Sequence, residues 1–400
     1  MGLTGNQRFT EPGASVDMNA SNAIQREAAA MLPVYPQMSF VPEASAGCYI
    51  TTAEGRDILD LYGGHAVAAL GYGHPVLTKA IARQAEQLIF QSNAVALDIR
   101  AEAAEKLCSA ANLERAFFVN SGAEANENAL RVACMATERK KVLALTHGFH
   151  GRTAAAAAVT WKSQSSWYGF PQTPFEIDFI ERNDVDAARD MIDDEIAAVI
   201  FEPVQGVAGA FDLSTKFVRE LRTRTQQVGA LLIADEVQSG MGRSGEFFAV
   251  HGYGIEPDLM TSAKSLAGGV PCGALLVSEA LAAGVSKGQL GSTFGGCPIA
   301  AAAVVAMIDT IRNDDLLRNV REREAQIRNT CLTGPVTSIQ GKGFLLGLVC
   351  NVPASQVQAA LLEQNILTGT SADPRVLRLL PPLVLQPDHV LQLADALSKV

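Results

Sequence analysis

The residues in this chain best suited to chemistry are an acid and a lysine that follow two short apolar runs. Leu231-Leu232-Ile233-Ala234 delivers Asp235 at its end, and Asp258-Leu259-Met260-Thr261 stops just before Ser262-Ala263-Lys264. Runs of that length read as buried strands, and an α/β sheet builds its sites beyond the carboxyl ends of its strands. A carboxylate and an amine delivered there could converge on one small molecule. Pyridoxal phosphate suits the pair, because its aldehyde needs a lysine for a Schiff base and its ring nitrogen needs an acid to hold a proton. The plainer alternative is a strand-end aspartate capping the next turn beside a solvated lysine, and these two residues alone favour that alternative.

For the pair to meet, both runs must lie in one sheet, and the surrounding pattern supplies such a sheet. Strands Ala116-Phe117-Phe118-Val119, Val142-Leu143-Ala144-Leu145, Ala197 to Phe201 and Leu231 to Ala234 alternate with helices, one starting at Gly122 and one over Ser214 to Val228. In the second helix Phe217, Val218, Leu221 and Val228 share a face, while Arg219, Glu220, Arg222 and Arg224 lie mostly elsewhere. One apolar stripe per helix, alternating with buried strands, predicts an α/β fold with a mostly parallel sheet covered on both sides.

Ahead of this core, Ser21 to Met31 reads as a helix, and Leu32-Pro33-Val34-Tyr35-Pro36 as an extended segment held out of the helical region by its prolines. Cys48 to Thr51 and Asp57 to Leu61 read as a hairpin. Gly63-Gly64 and Gly71-Tyr72-Gly73-His74-Pro75 punctuate a loop that opens a helix running to about Phe90. After an alanine-rich helix around Ile299 to Ile311, too short an apolar run to span a membrane, the pattern changes. An Arg- and Glu-rich helix, two strands around Gly341-Lys342-Gly343 and a terminal helix follow. The expected division is a flexible N-terminus over residues 1–20, a segment 21–60 joining the small domain, a large cofactor-binding domain 61–312, and a small α+β domain 313–400.

Composition narrows the partners. With 400 residues, 48% hydrophobic and 18% charged, the chain can bury a sizeable core. A formal net charge of −10 and the absence of a basic cluster argue against nucleic acid. The polar first twenty residues lack the apolar core of a secretory signal. Seven cysteines without CxxC spacing read as reduced thiols of a cytoplasmic protein.

Three further motifs admit two readings each. Asn120-Ser121-Gly122-Ala123-Glu124 sits where a strand turns into a helix; small residues there let N–H groups approach a phosphate, and the alternative is a plain turn with Ser121 as N-cap. Gly240-Met241-Gly242-Arg243-Ser244-Gly245 matches GxGxxG, but Asp235 to Ser239 intervene and no acid ends the next strand, so a nicotinamide site is the lesser reading. His147 and His150 lack the further ligands a metal needs.

The order of the pieces is more specific than any one of them. Ser121-Gly122-Ala123 is followed by Gly148-Phe149-His150-Gly151-Arg152-Thr153, Glu202-Pro203-Val204-Gln205-Gly206, Asp235-Glu236-Val237-Gln238, Ala263-Lys264, Gly291-Ser292-Thr293-Phe294-Gly295-Gly296 and Leu377-Arg378-Leu379-Leu380-Pro381-Pro382. From about Leu32 to the C-terminus this series resembles the class III (ω-) aminotransferases, pyridoxal-phosphate enzymes of fold type I, and is most similar to their acetylornithine-handling members.

The resemblance implies roles. Lys264 would bind the cofactor covalently and then carry a proton between substrate and cofactor. Asp235 would keep the ring nitrogen protonated. Phe149 and Val237 would pack the two ring faces, Gln238 would bond the phenolic oxygen, and Glu202 would order the site. Ser121, Gly122 and Ala123 would bind the phosphate, with Thr293 completing that cup from a second subunit, so a homodimer is implied. Arg152, with Tyr35 nearby, would face the carboxylate of an ornithine-type donor, and Arg378 that of glutamate or 2-oxoglutarate. The implied reaction is ping-pong transfer from N2-acetylornithine to 2-oxoglutarate, as in arginine biosynthesis. Other ω-amine, N-succinylornithine or N-acyl-lysine donors, and pyruvate as acceptor, stay open, with a nicotinamide oxidoreductase as the alternative from another class. Two residues depart from the family. Ornithine-handling members commonly carry Glu where this chain has Val207, an acid that masks the arginine matching Arg378, and Cys297 replaces the usual Asn.

Overall fold

The computed structural model describes residues 20–400. The expected flexible terminus over residues 1–20 falls outside the described residues but for Ala20. At the centre lies a seven-stranded sheet in the order Arg115–Val119, Gly273–Val277, Leu259–Ser262, Leu231–Asp235, Ile196–Phe201, Lys141–Leu145, Glu176–Ile180. Every strand runs the same way except Gly273–Val277, which is antiparallel to both neighbours.

The strands are apolar because both sheet faces are covered. Successive residues point to opposite sides, and Leu232 and Ala234 join one core with Phe217, Leu221, Ala300 and Val304, while Ile233 joins another with Ala129, Leu130 and Ala133. The helix Thr215–Val228 starts where Ser214 Oγ accepts the Phe217 N–H at 3.3 Å and ends at Gly229, which takes a left-handed φ of 70°. Arg222, expected on the polar face, is instead buried. Its Nη1 lies 2.8 Å from Asp258 Oδ2, which also accepts the Leu232 N–H at 2.8 Å, so the charge pins helix to sheet.

The hairpin forms with Ile50 opposite Ile58, and Ile366–Leu367 adds to its Asp57–Asp60 strand, bringing distant parts of the chain into one small sheet. A second small sheet, Val336–Lys342, Leu345–Cys350 and Val376–Leu379, carries Arg378 in a buried strand. The helix expected to reach Phe90 spans Pro75–Gln87; Leu88 is already extended, and Leu88, Ile89 and Phe90 are exposed. Helix Asp98–Ala111 and strands Glu176–Ile180 and Gly273–Val277 were not anticipated. Pro298–Asn313 is buried along most of its length, and among the described residues no helix is long and apolar enough to cross a membrane.

Candidate active site

The sheet direction sets the site. Asp235 ends its strand opposite Thr261 of the neighbouring parallel strand, which leaves Lys264 just over the same edge. Asn120 and Ser121 follow the Arg115–Val119 strand, Phe149 and His150 the Lys141–Leu145 strand, and Glu202 the Ile196–Phe201 strand. Because Gly273–Val277 runs backwards, its beginning arrives at that edge too, preceded by Val270, Pro271 and Cys272. Apart from Thr261, all of these residues line one cavity of about 390 Å³, together with Gly122, Ala123, Arg152, Val207, Val237 and Gln238. That volume lies in the range of small-molecule and cofactor sites.

Asp235 is 3% exposed and held from three directions. Its Oδ2 accepts from Asn126 Nδ2 and lies beside His150 Nδ1, each at 2.7 Å, and its Oδ1 accepts the Val237 N–H at 3.0 Å. Asn126 is itself fixed, donating to the His150 carbonyl at 2.7 Å and accepting from Thr261 Oγ1 at 2.7 Å. Oδ1 therefore retains acceptor capacity for one more N–H, as a protonated ring nitrogen requires. The sequence does not mark Asn126 or His150 for this role. Their partner lies 109 and 85 residues away, and nothing local signals it.

Lys264 is half-buried and adopts a left-handed φ of 46°. Its pKa is lowered by burial; nearby Asp235 and Glu202 oppose the shift, and Arg378 adds to it. A lowered pKa enlarges the fraction of free amine, the form that attacks an aldehyde or removes a proton. Glu202 has the converse problem. Burial pushes its carboxyl up to about 7 against the pull of His150, with Asp235 adding to the rise. It accepts the Phe149 N–H at 2.9 Å and the Gly206 N–H at 3.3 Å, which fixes the loop bearing Phe149.

The phosphate end expected from the sequence lies at a helix start. Ser121 caps Gly122–Thr137, its Oγ accepting the Glu124 N–H at 3.2 Å, while the Gly122 and Ala123 N–H groups precede any intrahelical partner and line the cavity. Glycine at 122 has a second cause. A Cβ there would meet Val237 Cγ1 at 2.6 Å, so the helix start and Val237 are in contact. These features fit pyridoxal phosphate at both ends: an acid with a lone pair to spare, an amine near it, and a positive helix terminus opposite.

The other expected residues fall into two groups. Gln238 donates from Nε2 to the His65 carbonyl at 3.4 Å. The Arg152 guanidinium stands at the cavity mouth between two aromatic rings, 5.1 Å from the Phe149 centroid and 5.6 Å from that of Trp167. Arg378 is buried and does not line that cavity; it donates to Thr370 O at 2.7 Å, Gly206 O at 3.2 Å and Tyr62 Oη at 2.9 Å, next to Val207, which does line it. Among the described residues no carboxylate pairs with it. Tyr35, 70% exposed, and Thr293, also exposed, do not reach the cavity of their own chain. Cys297 stands at the N-cap of Pro298–Asn313 and makes no side-chain cap bond. The Gly240 to Gly245 loop leads into a short 3-10 turn, Ala249–Tyr253, rather than a helix, and buries Arg243 against the Pro381 carbonyl.

Comparison with known proteins agrees with this geometry. The family description "Aminotransferase class-III" matches residues 31–400. The acetylornithine aminotransferase of Methanosarcina acetivorans is 36% identical over 381 residues, 94% of this chain and 96% of that protein. The acetylornithine/succinyldiaminopimelate aminotransferase of Yersinia pestis is 35% identical over 384 residues, covering 92% and 94%. Among solved structures, the ornithine aminotransferase of Toxoplasma gondii has a TM-score of 0.90 at 25% identity, covering 96% of this chain and 94% of that one.

Proposed function

This chain belongs to the class-III aminotransferases and is a pyridoxal-phosphate-dependent transaminase, and we propose that it moves the terminal amino group of N2-acetylornithine to 2-oxoglutarate. The observation that carries the reading is a pair of arginines in different settings: Arg152 lining the cavity beside two aromatic rings, and Arg378 buried against the Gly206 carbonyl with no acidic partner among the described residues. A donor whose carboxylate is remote from its reacting amine suits the first, and the carboxylate of a 2-oxo acid suits the second.

When bound, pyridoxal phosphate supplies an aldehyde for amine exchange and a protonated ring that accepts the electrons freed at the substrate carbon. The chain's own residues do the rest. Ser121 Oγ and the Gly122 and Ala123 N–H groups would hold the phosphate and Asp235 the ring N–H, while Asn126 and His150 hold Asp235. Phe149 and Val237 would pack the ring faces and Gln238 would bond the phenolic oxygen. Lys264 would hold the aldehyde end of the cofactor and would carry a proton at its Nζ as general base and acid. Its lowered pKa favours the base form. Residues 61–312 carry the cofactor in this reading, while 313–400, with 21–60, carry Arg378.

A cytoplasmic homodimer goes with the proposal. Phe294, 62% exposed, packs beside Phe90 at 5.3 Å between centroids, next to exposed Leu88 and Ile89. That apolar patch adjoins Thr293, which a second copy would receive at its phosphate cup. Tyr35 is proposed to act near a donor only in such an assembly.

Val207 favours a second reading. With no acid there to mask Arg378, simple ω-amines and pyruvate become competing substrates. A panel of donors assayed with 2-oxoglutarate and with pyruvate separates the two. The first reading predicts that acetylornithine with 2-oxoglutarate gives a kcat/KM at least about tenfold above any other pair; a faster amine–pyruvate pair would overturn it.

A further inference from the structure

Residues 63–66 turn in the left-handed sense. Gly63, Gly64, His65 and Ala66 have φ of 55°, 55°, 63° and 70°. A glycine adopts this conformation freely, whereas a residue with a Cβ does so at a cost, so left-handed residues occur singly rather than in runs. Here the last two carry side chains, and their surroundings hold them. Ser265 Oγ donates to the Ala66 carbonyl at 2.6 Å, Arg243 Nη2 to the same oxygen at 3.4 Å, and Gln238 Nε2 to the His65 carbonyl. Strain held this way collects at functional positions.

The turn aims the His65 ring. Nδ1 lies 2.8 Å from Tyr62 Oη, and that oxygen accepts from Arg378 Nη2 at 2.9 Å. Arginine only donates, which leaves the Tyr62 proton free to go to Nδ1, the arrangement of a neutral imidazole with its proton on Nε2. The ring is exposed, and no protein group among the described residues bonds Nε2. It therefore stands on the outer side of the buried Arg378, linked to it through one hydroxyl.

We propose that His65 is a proton-linked second grip on the acid substrate: when a carboxylate seats at Arg378, His65 takes up a proton at Nδ1, the Tyr62 hydroxyl turns its own proton away and accepts from that N–H, and Nε2–H donates to the carboxylate. The proposal rests on the reading of Arg378 as the carboxylate site. The charges that face the ring explain the coupling. Partial burial, the positive charge of Arg378 and that of Lys264 when it is protonated keep the His65 pKa below its usual value. Asp60, beneath the turn, is committed to the Tyr62 N–H at 2.7 Å, the Gly63 N–H at 2.9 Å and Tyr72 Oη at 2.6 Å. Arg243 faces the Ala66 carbonyl, and Gln238 is uncharged. An arriving carboxylate cancels the field of Arg378, so protonation of His65 becomes favourable. Acid binding then tightens as pH falls through the raised pKa of the complex and levels off below the lowered pKa of the free enzyme, by up to about tenfold per pH unit between them.

Calorimetric titration of the holoenzyme with glutarate, a dicarboxylate that has no carbonyl to react, tests this. Performed in two buffers of different ionisation enthalpy, it counts the protons taken up on binding. The wild type is expected to take up a proton, approaching one per glutarate between the two pKa values. His65→Asn, whose asparagine tolerates a left-handed φ, is expected to bind with no uptake and with affinity independent of pH across that window. Uptake that persists undiminished in His65→Asn, or none in the wild type, would overturn the proposal. Arg378→Gln separates the two readings. If it weakens glutarate while the wild type takes up no proton, His65 fails alone. If it leaves glutarate binding unchanged, the reading of Arg378 fails with it.

Discussion

Substituting one methyl at the helix start gives a sharp test of how the site is packed. In Gly122→Ala the new Cβ would sit 2.6 Å from Val237 Cγ1 and 2.9 Å from Cγ2. Ordinary contact begins at 3.4 Å, so Val237 must retreat by 3.4 − 2.6 = 0.8 Å. Its backbone N–H is one of the three groups holding Asp235, at 3.0 Å, so the retreat strains the acid as well as the ring face. Overpacking of this kind costs about 1–3 kcal/mol, and the helical preference of alanine over glycine returns about 0.5–1 kcal/mol. A net of roughly 1–2 kcal/mol corresponds to a loss of about 5- to 30-fold in affinity for pyridoxal phosphate. The assay is titration of apoenzyme with cofactor by visible absorbance, beside thermal unfolding of the apo form to show that the fold survives. Val237→Ala alone opens a small void, whereas Gly122→Ala with Val237→Ala should recover about 1 kcal/mol of the loss. A single variant that binds within about twofold of wild type, or a double variant whose losses simply add, would refute the contact argument.

Other expectations follow from the same residues. Asn126→Ala removes a buried bond to a carboxylate, worth about 1.5–3 kcal/mol, and so should lower kcat by about 10- to 100-fold with KM little changed; steady-state kinetics at saturating cofactor decide, and a kcat within about twofold of wild type would contradict the role. Glu202 ionises near 7 in the fold and near 4.5 in the unfolded chain, so across that window only the unfolded chain gives up the proton and apoenzyme stability falls as pH rises, by at most about 3 kcal/mol. Glu202→Gln should flatten the fall in apoenzyme Tm between about pH 4.5 and 7; an equally steep fall would rule Glu202 out as its source. Val207→Glu gives Arg378 an acidic neighbour and should raise KM for 2-oxoglutarate about tenfold while improving the preference for acetylornithine over glutamate; an unchanged preference would count against masking.

What was legible in the sequence was local. Leu231 to Asp235 announced itself because a strand covered on both faces is uniformly apolar, and its acid marked the end. Lys264 followed by the same logic, and the order of motifs supplied the family. The direction of Gly273–Val277 was not legible, since antiparallel and parallel buried strands share one composition, yet that reversal brings Pro271 and Cys272 to the site. Asp98–Ala111, rich in alanine, has too weak an apolar stripe to stand out. Asn126 and His150 act only through contacts made across the fold. The double glycine at Gly63-Gly64 marked a loop, but nothing there foretold that His65 and Ala66 would continue its left-handed turn. Thr293 and Tyr35 illustrate a different boundary, because one chain leaves both outside its own cavity.

The most direct test of the central claim is to locate the covalent attachment. Borohydride reduction of holoenzyme, digestion and mass spectrometry should find the pyridoxyl phosphate increment on the peptide containing Lys264, with loss of the visible absorption band, and Lys264→Ala should carry neither. An increment on another lysine, or a Lys264→Ala protein that retains the reducible band and transaminates, would contradict the account.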